Sequence, residues 1–208
     1  GSIGVIGYDA AHGLNPAVPL LDYFDTFTGG FLTQGLLTAP LTWILPITWA
    51  VAIVGLATNS AVLVMAWTFL ERNVGLMAAR IGTLFFLLGP PTMRHHALVG
   101  PNYHYNELFF DFGMAALWAE IVLHGRRSWR WTALLGLTCG YAITNCWGSI
   151  GYLAVVMLLW WVAAPGLLTR KATWAFVPGA VLGLAPLLAK MFVHSSYHQG
   201  VRGLRDLA

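Results

Sequence analysis

The chain has 208 residues, 58% of them hydrophobic and only 9% charged, with a formal net charge of +3 and a mean hydropathy of +0.68. An ordinary water-soluble domain carries roughly 25% charged residues, and eleven basic plus eight acidic side chains cannot wet the outside of a chain this long. A water-soluble globule is therefore excluded as the expectation, and the small, scattered positive charge forms no basic stripe of the kind that binds nucleic acid.

Residues 1–40 are the least apolar stretch. They hold Asp9, His12, Asp22 and Asp25, with Pro16, Pro19 and the pair Gly29-Gly30. The mixed run Leu20-Leu21-Asp22-Tyr23-Phe24 predicts a short helix lying in the membrane surface, or else a plain connecting loop. The start shows no signal-peptide pattern.

From there the apolar runs are long, lack alternation and are separated by turn residues, which points to helices rather than spanning strands. The expected spans are Ile47 to Leu70, Val74 to Pro90, Tyr105 to Leu123, Trp131 to Cys146, Ser149 to Ala164, and Thr173 to Val193. Pro46 suits the first turn of the first span. Gly89-Pro90-Pro91, His124-Gly125-Arg126-Arg127 and Pro165-Gly166 close others. The fourth and fifth are short, at roughly 24 Å each, and Pro178 and Pro186 predict kinks in the sixth. The fold expected is thus all-α: a polytopic transmembrane helix bundle of about six spans over 41–193. An outer loop with an interfacial helix (1–40) precedes it, and an outer-side segment (194–208) follows. Trp43, Trp129, Trp131, Trp147 and Trp174 lie near run ends, where indole favours the membrane interface or simply packs.

Charge placement orients the bundle. Arg72, Arg80, Arg126, Arg127, Arg130, Arg170 and Lys171 gather toward one side, against Arg94, Lys190, Arg202 and Arg205 on the other. The positive-inside rule makes the first side cytoplasmic. Asp9, Asp22, Asp25, Glu107, Asp111 and Asp206 fall on the outer side, as do His12, His95, His96, His104, His194 and His198; only Glu71 and Glu120 fall inside. Polar chemistry therefore gathers at one membrane face, which implies an integral membrane protein with both ends of the chain outside.

The richest constellation is Gly100-Pro101-Asn102-Tyr103-His104-Tyr105-Asn106-Glu107, leading into Asp111. On a helix His104, Glu107 and Asp111 share one face. A carboxylate inside a bilayer needs a partner or a wet cavity, so the group either binds a divalent metal through His104 and Glu107, shares a proton, or pins helices together. Arg94-His95-His96 suits an anionic headgroup or phosphate, or border snorkelling. Asp9 and His12, in Gly7-Tyr8-Asp9-Ala10-Ala11-His12-Gly13, offer a general base or metal ligand in an outer loop, or a solvated acid. Lys190, His194 and His198 continue from the sixth span, Thr144 to Ser149 makes a compact polar outer turn, and Glu120 with His124 reads as a structural pair. Cys139 and Cys146 are too far apart on one helix to bridge. Gly136 and Gly140 suit close helix packing. No phosphate loop, dinucleotide fingerprint, paired CxxC or HExxH occurs in the sequence.

The order of these features resembles the GT-C type membrane glycosyltransferases, such as the protein mannosyltransferases and aminoarabinose transferases. The residues that carry the likeness are the acidic outer loop, Leu37-Thr38-Ala39-Pro40, Glu71-Arg72-Asn73-Val74-Gly75, Gly89-Pro90-Pro91, Asn102-Tyr103-His104-Tyr105-Asn106-Glu107, Leu135-Gly136-Leu137, and Gly183-Leu184-Ala185-Pro186. The resemblance implies an outward-facing site in a bacterial inner membrane that uses a polyprenyl-phosphate sugar. By position Asp9 matches the family's base or metal-holding acid, with His104 and Glu107 as further catalytic residues. Arg94, His95, His96 and Asp111 then bind substrate. The family usually has a span before the first outer loop and about twice as many spans, and Tyr103 separates the asparagine from the histidine. The likeness therefore fits an N-terminal half, or a shortened relative that has lost catalysis. A non-catalytic accessory subunit among other membrane subunits is the alternative expectation.

Overall fold

A computed structural model describes residues 12, 35–88, 103–146 and 148–193, with backbone alone for 103–106, 168 and 189–193. Asp9, Asp22, Asp25, Arg94, His95, His96, the expected surface helix and the segment 194–208 lie outside the described residues. Within them every regular element is helical and no strand occurs.

Six main helices follow the six apolar runs. They are α1 (Ile47–Asn73), α2 (Leu76–Leu88), α3 (Tyr103–Val122), α4 (Trp129–Asn145), α5 (Ser149–Ala163) and α6 (Phe176–Val193). A 3-10 turn, Ala39–Trp43, precedes α1; a single helical turn, Pro165–Leu168, and a second 3-10 turn, Lys171–Ala175, join α5 to α6. The breaks have local causes. Gly75, at φ 121°, separates α1 from α2, and Gly125, at φ 71°, follows the end of α3; both are left-handed conformations that a side chain resists. Pro178 is the third residue of α6, where its missing amide is not needed, so only Pro186 stands inside that helix.

Length and composition correct the expected number of spans. Among the described residues only two stretches, Ile47–Asn73 and Lys171–Leu188, are long and apolar enough to cross a membrane. At 1.5 Å per residue, the 15 residues of α5 reach roughly 23 Å against a hydrocarbon core of about 30 Å. Helix α3 has 20 residues but carries Glu107, Asp111 and Glu120. Only 22% and 11% of the most apolar windows of the two long stretches are buried, whereas the core helix of a soluble protein is mostly buried. Trp49, Leu56, Val64, Val181 and Leu182 stand outward from them.

The core lies between α3, α4 and α5. Met114 and Ile121 of α3 meet Leu135, Cys139 and Ala142 of α4 and Val156 and Trp160 of α5, with Phe110, Leu117 and Phe176 packed around them. The Trp160 and Phe176 rings meet edge to face at 6.3 Å. Helix α1 packs on α2 and α3. The closest pairing is α4 with α6. Gly136 and Gly140 of α4 lie against the backbone carbonyls of Phe176 and Ala180, and Gly179 and Gly183 of α6 lie against those of Ala133 and Leu137. A Cβ at any of the four would strike backbone, so hydrogen at Cα is what lets the two helices touch. Thr144 continues the four-residue stripe, and its Oγ1 lies 3.2 Å from the Gly140 carbonyl and 3.0 Å from the Gly183 carbonyl. Both cysteines are free and buried.

Candidate functional site

The polar residues near the start of α3 meet the turn that joins α4 to α5. Helix α4 stops at Asn145 because Cys146 turns extended, at φ −151° and ψ 128°, while its amide still reaches the Ala142 carbonyl at 2.8 Å. Ser149 then donates its amide to the Cys146 carbonyl at 3.2 Å, and α5 begins. This reversal, between 146 and 149, sets two short polar side chains against α3.

Glu107 and Asp111 are one helical turn apart and share a face. Ser149 Oγ donates to Asp111 Oδ1 at 3.2 Å, and the Cys146 thiol donates to Glu107. Gly148 lies directly on the Glu107 carboxylate, in space a Cβ would fill. Tyr152, the next turn of α5, is within electrostatic reach of both acids. Asp111 is buried, whereas Glu107 is half-buried. Asp111 Oδ2, and both the Oδ1 and Nδ2 atoms of the fully buried Asn145, have no hydrogen-bond partner among the described residues. Buried polar atoms are nearly always satisfied in folded proteins, so these mark the neighbourhood as one able to take a polar ligand or ordered water.

The expected cluster of Glu107 and Asp111 is thus brought together. His104 lies in the first turn of α3, with its side chain outside the described residues. Among those residues no group of three or more His, Cys, Asp or Glu is placed to hold a metal ion; the expected pair of His104 and Glu107 turns on the histidine. His12 is exposed, and Asp9, Arg94, His95 and His96 fall outside the described residues. Sequence reasoning marked the turn of Thr144 to Ser149 as compact and polar without naming the groups that act. The structure uses its hydroxyl and thiol, and adds Tyr152, which nothing in the sequence singled out. The available signal was topological: the end of α4 and the start of α3 belong to the same side of the bundle.

The opposite end is built differently. Glu120 pairs with Arg72 and, at 3.0 Å, with Arg126, and the Arg126 guanidinium lies 4.9 Å from the Trp131 ring centroid. His124 Nε2 sits 3.1 Å from Asn73 Oδ1. The expected Glu120–His124 pair is therefore replaced by two cross-helix contacts, because the α1–α3 packing brings Arg72 and Asn73 beside the end of α3. Trp67 Nε1 donates to Glu71 Oε2 at 2.9 Å. Comparison of the chain with models of known families, with curated proteins and with solved structures finds no match.

Proposed function

We propose that the chain is a polytopic membrane helix bundle of the GT-C kind, and that its acidic end serves sugar transfer from a polyprenyl-phosphate donor. One observation carries this reading: Glu107 and Asp111 stand together in an otherwise apolar bundle, at the end opposite the arginines around Glu120. A bilayer tolerates such a pair where it meets polar ligands or a wet cavity. The two long apolar stretches with outward-facing surfaces support the membrane setting. The arginine-rich end at Arg126, Arg127, Arg130, Arg170 and Lys171 supports a cytoplasmic assignment for that side. The acidic end and both chain ends then face the periplasm of a bacterial inner membrane.

In this reading the half-buried Glu107 takes hold of the sugar or acceptor hydroxyl, together with His104. Asp111, fixed by Ser149, holds the face of α3 in register behind it. Asp9 acts as the base that removes the acceptor proton, and Arg94, His95 and His96 stabilise the leaving phosphate. Reconstitution of the full-length protein with a radiolabelled polyprenyl-phosphate sugar tests it. Wild-type protein transfers the sugar, and Asp9→Asn or Glu107→Gln lowers the rate by about 100-fold or more. Transfer that survives both substitutions removes the reading.

A second reading, an accessory subunit of a larger membrane complex, draws on the clasp itself. Cys146, Gly148 and Ser149 already cover one side of the acid pair, as a strut between helices does. It predicts that the same substitutions leave donor chemistry untouched but release co-purifying membrane subunits.

A further inference from the structure

The α4–α6 pair carries a second feature at its arginine-rich end, a groove of about 430 Å³. Leu134 and Leu137 of α4 and Pro178 and Leu182 of α6 line it, with Trp129 and Arg130 where α4 begins. The groove follows from the glycine contacts, since helix backbones that touch leave their larger flanking side chains standing apart as two walls. Leu134, Leu182 and Trp129 are all exposed.

The charges beside this groove differ from those around Glu120. Arg72 and Arg126 are spent on Glu120. Arg130 is exposed, lies 5.7 Å from the Trp129 ring centroid, and has no carboxylate partner among the described residues. Exposed Lys171 opens the 3-10 turn that packs on α4 and ends at Ala175, itself a wall of the groove; at 2.0 Å per residue the two are about 8 Å apart along that turn. An apolar channel with cations and an indole at one end matches an amphiphile of opposite charge: a hydrocarbon chain with an anionic head.

We propose that this groove binds an anionic phospholipid of the cytoplasmic leaflet, with an acyl chain between Leu134 and Leu182 and the phosphate at Arg130 and Lys171. The assignment rests on the membrane reading above, but not on sugar transfer. Trp129 is the built-in reporter. The full-length protein is reconstituted in phosphatidylcholine vesicles containing a small, equal fraction of either brominated phosphatidylglycerol or brominated phosphatidylcholine. The quenching due to Trp129 is isolated by subtracting Trp129→Phe. Half-maximal quenching is expected at about five-fold less brominated lipid for the anionic species. Arg130→Gln combined with Lys171→Gln abolishes that difference, and Leu137→Phe, which narrows the channel, reduces quenching by the anionic lipid. Equal quenching by both lipids, or a preference that survives Arg130→Gln with Lys171→Gln, overturns the lipid site alone. Protein that alkaline carbonate strips from the vesicles overturns the membrane reading and the lipid site together.

Discussion

Glu120 and Asp111 lie on the same helix about two and a half turns apart, and the protein treats them in opposite ways. Glu120 is gripped by two arginines from separate parts of the chain, one on α1 and one after α3. Asp111 is more deeply buried and receives a single hydroxyl from Ser149, while its second oxygen has no partner among the described residues. A carboxylate neutralised twice has no charge left to offer and serves to hold α1, α3 and the following turn together. A carboxylate with one neutral donor keeps its demand for a further partner. The difference teaches that acids within a single helix are separated in role by what the neighbouring helices bring to them.

The largest effect is expected where the two ends are tied into one body. Gly140→Leu forces α6 away from α4, because the new side chain would enter the space of the Ala180 carbonyl. Overpacking of this kind costs about 3 kcal/mol, read as a lowered midpoint in detergent unfolding. A variant as stable as wild type would mean that the glycine crossing does not hold the ends in register.

Next comes the acidic end. Under the proposed reading, Glu107→Gln lowers sugar transfer by about 100-fold, equal to about 2.7 kcal/mol in the barrier, with folding stability nearly unchanged. If stability falls while transfer is unaffected, Glu107 belongs with Glu120 as a structural acid and the contrast collapses.

Ser149→Ala removes the hydroxyl donor to the buried Asp111 carboxyl. A buried hydrogen bond contributes about 1 kcal/mol, and that loss in unfolding free energy is the expected outcome. Ser149→Thr, which keeps the hydroxyl, restores most of it if the bond rather than the side-chain size is responsible.

The smallest change belongs to the arginine-rich end. Both arginines are about half exposed, at 48% and 51%, so water and salt screen the pairs. Glu120→Gln is expected to cost about 1 kcal/mol in low salt, less at high salt, and under the proposed reading to leave sugar transfer unchanged. A salt-independent loss would place Glu120 in a drier setting than its partners show.

Much of the architecture was legible because it is local. Helical class, the position of each apolar run and the breaks at Gly75 and Gly125 depend on residues close in the chain, and the helix ends that lie inside the described segments fell within a few residues of their turn signals. The place of Glu107 and Asp111 near one end of α3 was equally readable, since it needs only the extent of one helix. The number of full spans was not: among the described residues only two stretches are long and apolar enough to cross a membrane.

The site divides along the same line. The sequence by itself determined that Glu107 and Asp111 share a face, since 3.6 residues per turn demands it, and that Gly136 and Gly140 mark a close approach. Tertiary structure alone decided what each meets: Cys146, Gly148 and Ser149 at one end, Arg72 at the other, and the Phe176 and Ala180 carbonyls at the crossing. The physical reason is that periodicity is a property of one helix at a time. Pairings such as Asp111 with Ser149 arise between residues far apart in sequence, and they depend on how whole helices rotate and slide until their side chains fit.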